Sequence, residues 1–166
     1  MDIVSASYND DTIAWYENDG SANPSWTAAD IATSADGAQK VYVADMDNDG
    51  DLDIVSASAV DDAVAWYEND GAADPSFTAA DIATSADNVM SVFVADMDND
   101  GDMDIVSASY DDWTIAWYEN DGAASNSQTA RGISAWTEVV AGSSFDAACD
   151  VVHADIDGDG DLDMVA

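Results

Sequence analysis

Asp96-Met97-Asp98-Asn99-Asp100-Gly101-Asp102-Met103-Asp104 is the stretch on which the reading of this chain turns. It recurs in closely similar form at residues 45–53 and 155–163. Carboxylates stand at its first, third, fifth and ninth positions, with glycine at the sixth. Oxygen ligands converging from alternate residues are what a hard cation needs, and glycine permits the sharp turn that folds them inward. So many like charges in nine residues repel one another strongly unless a cation compensates them. The pattern predicts calcium binding.

The charge of the whole chain points beyond these loops. Its 166 residues carry 36 acidic side chains against Lys40 and Arg131, a formal charge of -34. Three divalent ions would offset only a small part of that. The remainder suits a salty, calcium-rich medium, where screening relieves self-repulsion. It argues against nucleic acid and anionic membrane surfaces as partners, because neither is approached without a basic patch. Disorder is opposed by a 48% hydrophobic content with regularly spaced Trp, Ile and Val. The length fits one domain with a sizeable core. Cys149 stands alone, so no intrachain disulfide is available. No run approaches transmembrane length, and no direct membrane insertion is expected.

The loops are spaced by internal repeats. Asp2, Asp53 and Asp104 are 51 residues apart, and each opens Asp-Ile-Val-Ser-Ala-Ser; Asp163 follows after 59. Residues 2–52 and 53–103 share 38 identities in 51, with no linker between them. The longer last interval places an insertion near 123–132, and an insertion confined to one place marks a loop. Met1 occupies the repeat position of Leu52, Met103 and Leu162. The chain is therefore expected to begin inside a repeat, with blades of a parent chain missing from it and its leader uninformative.

Within one repeat the alternation of apolar residues predicts four short strands. They are Ser91 to Ala95, Ile105 to Ser109, Thr114 to Glu119, and Phe77 to Thr84 or its counterpart Trp136 to Ala141. Asn120-Asp121-Gly122 is a turn signal, since glycine accepts positive φ. Stretches such as Thr27-Ala28-Ala29-Asp30 have helical propensity, but their shortness between turns favours strand. Four strands in about 50 residues, with no room for crossover helices, describe propeller blades. The expected fold is all-β, with four-stranded blades in tandem, about three repeats, open rather than closed. The repeats divide the chain into 2–38 (strands two to four of a blade), 39–89, 90–148 with the insertion, and 149–166 (strand one and a loop).

The Asp-x-Asp-x-Asp-Gly-x-x-Asp loop, entered from a Val-Ala strand and left into Ile-Val-Ser-Ala-Ser, resembles the FG-GAP/VCBS repeats of integrin-α-like β-propellers. Ala-Trp-Tyr-Glu-Asn-Asp-Gly at 14–20, 65–71 and 116–122 is similar to the third strand and turn of that family. The resemblance covers essentially the whole chain. It implies about three Ca2+ sites, each between the first and second strands of a blade. Carried over residue by residue, the side-chain ligands are Asp45, Asp47, Asp49 and Asp53, then Asp96, Asp98, Asp100 and Asp104, then Asp155, Asp157, Asp159 and Asp163. Asp51, Asp102 and Asp161 would each offer a backbone carbonyl. Asp2 matches only the final ligand of such a loop and is expected to hold no ion tightly. The resemblance further implies an extracellular or cell-surface protein that binds a protein or carbohydrate ligand. The expected role is adhesion or ligand binding without catalysis. The alternative is a scaffold or accessory module of a secreted polysaccharide-acting enzyme.

Other readings of the same residues are weaker. An EF-hand loop needs an acidic ligand at position 12 and an exiting helix, whereas position 12 here is Ser56, Ser107 or Ala166. Magnesium prefers fewer carboxylates and retained waters. The Trp-Tyr pairs 15/16, 66/67 and 117/118 could stack on sugars. Neighbours on a strand point to opposite faces, however, so each pair is expected to pack against both adjacent blades. Trp113 stands in a polar turn where Asp11 and Asp62 stand in the other copies, and is a candidate contact residue. His153, with Cys149 expected on the same strand face, is read as a packing residue, because i and i+4 on a strand lie too far apart for a hydrogen bond.

Overall fold

A computed structural model describes residues 1–120, 122, 136–143 and 148–165. The insertion expected near 123–132, with Arg131, lies outside the described residues. The described residues form thirteen strands and no helix. In order they are β1 (Ile3–Ser7), β2 (Thr12–Asn18), β3 (Trp26–Ala32), β4 (Ala38–Ala44), β5 (Asp53–Ser58), β6 (Ala63–Asn69) and β7 (Phe77–Ala83). Then follow β8 (Val89–Ala95), β9 (Asp104–Ser109), β10 (Thr114–Asn120), β11 (Trp136–Gly142), β12 (Val152–Ala154) and β13 (Asp163–Val165). No helix among them is long and apolar enough to cross a membrane.

Sequential antiparallel pairing gives four sheets: β1-β2-β3, β4-β5-β6-β7, β8-β9-β10-β11 and β12-β13. These are propeller-type blades in an open array, as the repeat spacing predicts. The Ala-rich stretches are strands β3 and β7, paired to β2 and β6 through six positions each. Strand limits differ from expectation by a residue or two: β8 starts at Val89 and β9 already at Asp104, while β7 ends at Ala83, one residue short of Thr84. A register shift recurs at one repeat position, between Ile13 and Ala14, Val64 and Ala65, and Ile115 and Ala116. A bulge in each copy sharpens the twist of the outer strand.

The core lies between the sheets, and the period of two along a strand decides which side chain enters which layer. Tyr67 packs with Ile13, Ala38 and Ile54 between the first and second sheets. Its neighbour Trp66 points the other way, to Val89, Val92 and Ile105 between the second and third. Tyr118 repeats the first arrangement, and Trp117 packs towards Val151, just before β12, and Met164 of β13. Trp66 and Tyr67 are both 5% exposed, so neither offers a face to a sugar.

One finer expectation changes. Cys149 is not on a strand with His153, because β12 begins at Val152 and has only three rungs against β13. His153 is a packing residue, its ring 4.2 Å from that of Phe93, which meets Tyr42 edge-on at 5.0 Å. Trp113 is half exposed and adopts φ 57, the left-handed conformation that Asp11 and Asp62 take in the same turn. The turn dictates the backbone there whatever the side chain.

Candidate metal centres

Each Asp-rich loop joins the first strand of a sheet to the second: β4 to β5, β8 to β9, and β12 to β13. The strands fix the ends, and two left-handed residues fold the middle. One is the glycine at position six, with φ 98, 101 and 102 at Gly50, Gly101 and Gly160. The other is position four, where Asn48 has φ 59, Asn99 has φ 61 and Gly158 has φ 79. Asn tolerates this region better than other side chains do, so the chain can keep an amide at that point of the loop.

Backbone N–H groups then hold the carboxylates inward. Asp45 Oδ1 accepts from Asp49 N at 3.0 Å and its Oδ2 from Gly50 N at 3.0 Å. Asp47 Oδ1 accepts from Asp49 N, and Asp49 Oδ1 from Asp51 N. The second loop repeats this pattern at Asp96, Asp98 and Asp100. Asp53 and Asp104 close the loops from the base. Asp53 accepts from Met46 N and Asn69 N, and Asp104 from Met97 N and Asn120 N.

Carboxylate oxygens converge within 4.8 Å of one another in all three loops. The trios are Asp45, Asp47 and Asp49; Asp96, Asp98 and Asp104; and Asp155, Asp157 and Asp163. Position five thus joins the trio in the first loop, and position nine in the other two. In all three loops the position-five carboxylate, Asp49, Asp100 or Asp159, accepts the N–H of the residue two further on. Ser56 and Ser107, at position 12, are wholly buried inside β5 and β9 and supply no acidic ligand.

In the first loop several carboxylates are crowded together and partly buried. Burial, then the charges of Asp49 and Asp53, push the Asp47 carboxyl up to about 6. Its Oδ2 is buried with no hydrogen-bond partner, and a buried carboxylate oxygen without a partner is costly. Burial also raises Asp53 and Asp104, against the lowering effect of the N–H groups they accept. The donor set is all oxygen, and the orphaned oxygen belongs to one of the converging side chains, so the residues present fit a hard divalent ion.

Several residues at these loops were not found from sequence. Glu68 on β6 is raised by burial and then by the charges of Asp47 and Asp49, so its carboxyl feels the field of the first loop. Its only signal is its place beside the Trp-Tyr pair in every copy. The side chains at position seven lie against the turn between the third and fourth strands of the same blade. A Cβ on Gly71 would stand 2.2 Å from Asp51 Oδ2, and one on Gly122 2.3 Å from Asp102 Oδ2. Asn48, Asn99 and Asn120 reach between blades.

The opposite rim is acidic without such convergence. Burial, then Asp11 and Asp61, raise Asp36, and burial, then Asp62, Asp111 and Asp112, raise Asp87. Among the described residues, three oxygens meet only in the Asp-rich loops. In comparisons with known proteins, the family described as the FG-GAP-like repeat matches residues 1–56, 49–107 and 96–166. No curated protein and no solved structure matches.

Proposed function

This chain belongs to the FG-GAP-like repeat family, and from that premise we propose that it is a calcium-stapled array of propeller-type blades serving as a binding scaffold. The observation that carries the reading is the convergence of carboxylate oxygens within 4.8 Å in every Asp-rich loop, with Asp47 Oδ2 buried and unpartnered in the first. The ions would be held by Asp45, Asp47, Asp49 and Asp53, by Asp96, Asp98, Asp100 and Asp104, and by Asp155, Asp157, Asp159 and Asp163. The carbonyls of Asp51, Asp102 and Asp161 complete the sets. Bound Ca2+ supplies positive charge and fixed geometry, so each ion acts on the fold rather than on a substrate.

A structural ion of this kind suits an extracellular or cell-surface protein, where calcium near millimolar fills sites of moderate affinity. The scaffold is read as adhesive or ligand-binding and non-enzymatic, its ligand a protein or a carbohydrate. Tyr8, Val60, Tyr110 and Trp113 support a contact rim, since all four are exposed in the turns between second and third strands, at the end opposite the loops.

The test is calorimetry on the chain stripped with EDTA and then titrated with Ca2+. Three ions should bind, and the thermal midpoint should rise on refilling; each site at a hundredfold excess over Kd adds about 2.7 kcal/mol. Asp98→Ala should reduce the stoichiometry to two. An unchanged midpoint on removal and return of calcium would sink the reading.

A further inference from the structure

The loops are not isolated from one another. Asn48, at position four of the first loop, donates from Nδ2 to Asp102 Oδ1 at 2.8 Å and to the Gly101 carbonyl at 3.4 Å. Those acceptors are positions seven and six of the next loop, more than fifty residues away in sequence. Asn99, at position four of the second loop, donates to Asp161 Oδ1 of the third at 3.2 Å. The third loop has Gly158 at this position and carries no such amide.

A buried clamp keeps the first two loops in register. Asn120, 1% exposed at the end of β10, donates from Nδ2 both to the Met46 carbonyl of the first loop and to the Met103 carbonyl of the second, each at 3.1 Å. Its backbone N–H meanwhile donates to Asp104 Oδ1 at 2.8 Å. Its counterpart Asn69 bonds to the Leu52 carbonyl of its own blade.

From these bridges, and resting on the cation reading above, we propose that Asn48 and Asn99 are positioning residues that couple adjacent calcium loops, so that filling one raises the affinity of the next. A cation in the first loop fixes the turn that places Asn48 in its left-handed conformation. Asn48 then holds the Gly101–Asp102 segment, whose backbone belongs to the ligand set of the second loop. Ordering that segment is part of the cost of binding there, and a neighbour that has already ordered it lowers the cost. Repulsion between ions opposes the effect but is moderated by the five aspartates of each loop and by salt.

The fold supplies the test, because glycine already occupies position four in the third loop and keeps the left-handed backbone without the amide. Calcium is titrated calorimetrically into the full chain, Asp47→Asn, Asn48→Gly and the double variant. Disabling the first loop with Asp47→Asn should weaken the second loop about tenfold when Asn48 is present. In the Asn48→Gly background the same change should weaken it less than about threefold. A calcium-free thermal midpoint that stays the same in Asn48→Gly shows that the amide acts between sites and not on the fold at large. If Asp47→Asn leaves the second loop unaffected in both backgrounds, or weakens it equally in both, the coupling is overturned while the cation sites stand. If the wild-type chain takes up no calcium at millimolar concentration, both readings fall.

Discussion

Strands β1 and β5 share the sequence Ile-Val-Ser-Ala-Ser, and yet they live in different surroundings. Every residue of β5 is buried, whereas Ile3 of β1 is 49% exposed and the rest of that strand is half-buried. β9 repeats β5 in sequence and in burial. The same residues thus form the same strand in each place, but their core is supplied by neighbours. β5 lies between β4 and β6 in the second sheet, and that sheet packs on both its faces; β1 pairs with β2 alone among the described residues. In an array of this kind stability belongs to the interfaces as much as to the repeats.

The sharpest way to break this comparison is to truncate the same residue in both strands. Ile54 is 2% exposed, and Ile54→Ala should cost about 2–5 kcal/mol. Ile3→Ala, at the matching position of β1, should cost less than about 1 kcal/mol. Urea denaturation of the two variants measures both. Equal losses would mean that the first sheet is covered by something the described fold does not show.

A smaller difference is expected in the turn after the third strand. Gly20 and Gly71 occupy equivalent positions with φ 71 and 66, so alanine at either costs about 1 kcal/mol for its conformation. At Gly20 nothing lies within 4 Å of the added Cβ, while at Gly71 it meets Asp51 Oδ2. Gly71→Ala should therefore cost about 0.5–1.5 kcal/mol more, as Asp51 is forced from its rotamer, and should also weaken calcium binding in the first loop. Thermal scans with and without Ca2+ separate the two effects.

The smallest effect is one in which the blades should agree. Asp19 is lowered to about 2, chiefly by the Ser25 hydroxyl, which donates to Oδ2 at 2.5 Å, and then by the N–H of Ser21. Asp70 is lowered in the same way, first by Ser76 and then by the Ala72 N–H. A depressed carboxyl contributes stability above its unfolded value, about 4, and loses it as pH falls towards the folded value. Ser25→Ala should shift the Asp19 titration seen by NMR upward, and Ser76→Ala should do the same for Asp70. These turns are local to each repeat, and a difference between them would show that neighbours reach further than the core clusters indicate.

Much of this was legible in the sequence, for a physical reason. Alternation of two decides a strand and its faces, so Trp66 and Tyr67 could be assigned to opposite layers before any contact was known. The Asp spacing and Gly50, Gly101 and Gly160 likewise specify a local turn. What could not be read depends on partners remote in the chain. Asn48 looks like any turn residue until Asp102 lies beside it, and nothing in the letters shows that Glu68 feels the charges of Asp47 and Asp49. The difference between β1 and β5 is invisible in identical letters. The limits of the strands moved because pairing, which the letters do not contain, ends the ladder.

With the proposed calcium sites filled, the acidic rim opposite the loops would give the ions an effect at a distance. Carboxylates stand at both ends of the blade array, in the Asp-rich loops at one end and at Asp11, Asp36, Asp61 and their repeats at the other. Cations entering the loops lower the charge at one end only, because Asp11, Asp36, Asp61 and their repeats at Asp62, Asp87 and Asp112 form no trio to receive them. Filling the loops, as proposed, would therefore make the charge of the array more unequal from end to end. The end that carries Tyr8, Tyr110 and Trp113 would keep its carboxylates uncompensated, and in a calcium-bearing medium the array would have a preferred direction of approach to any charged surface.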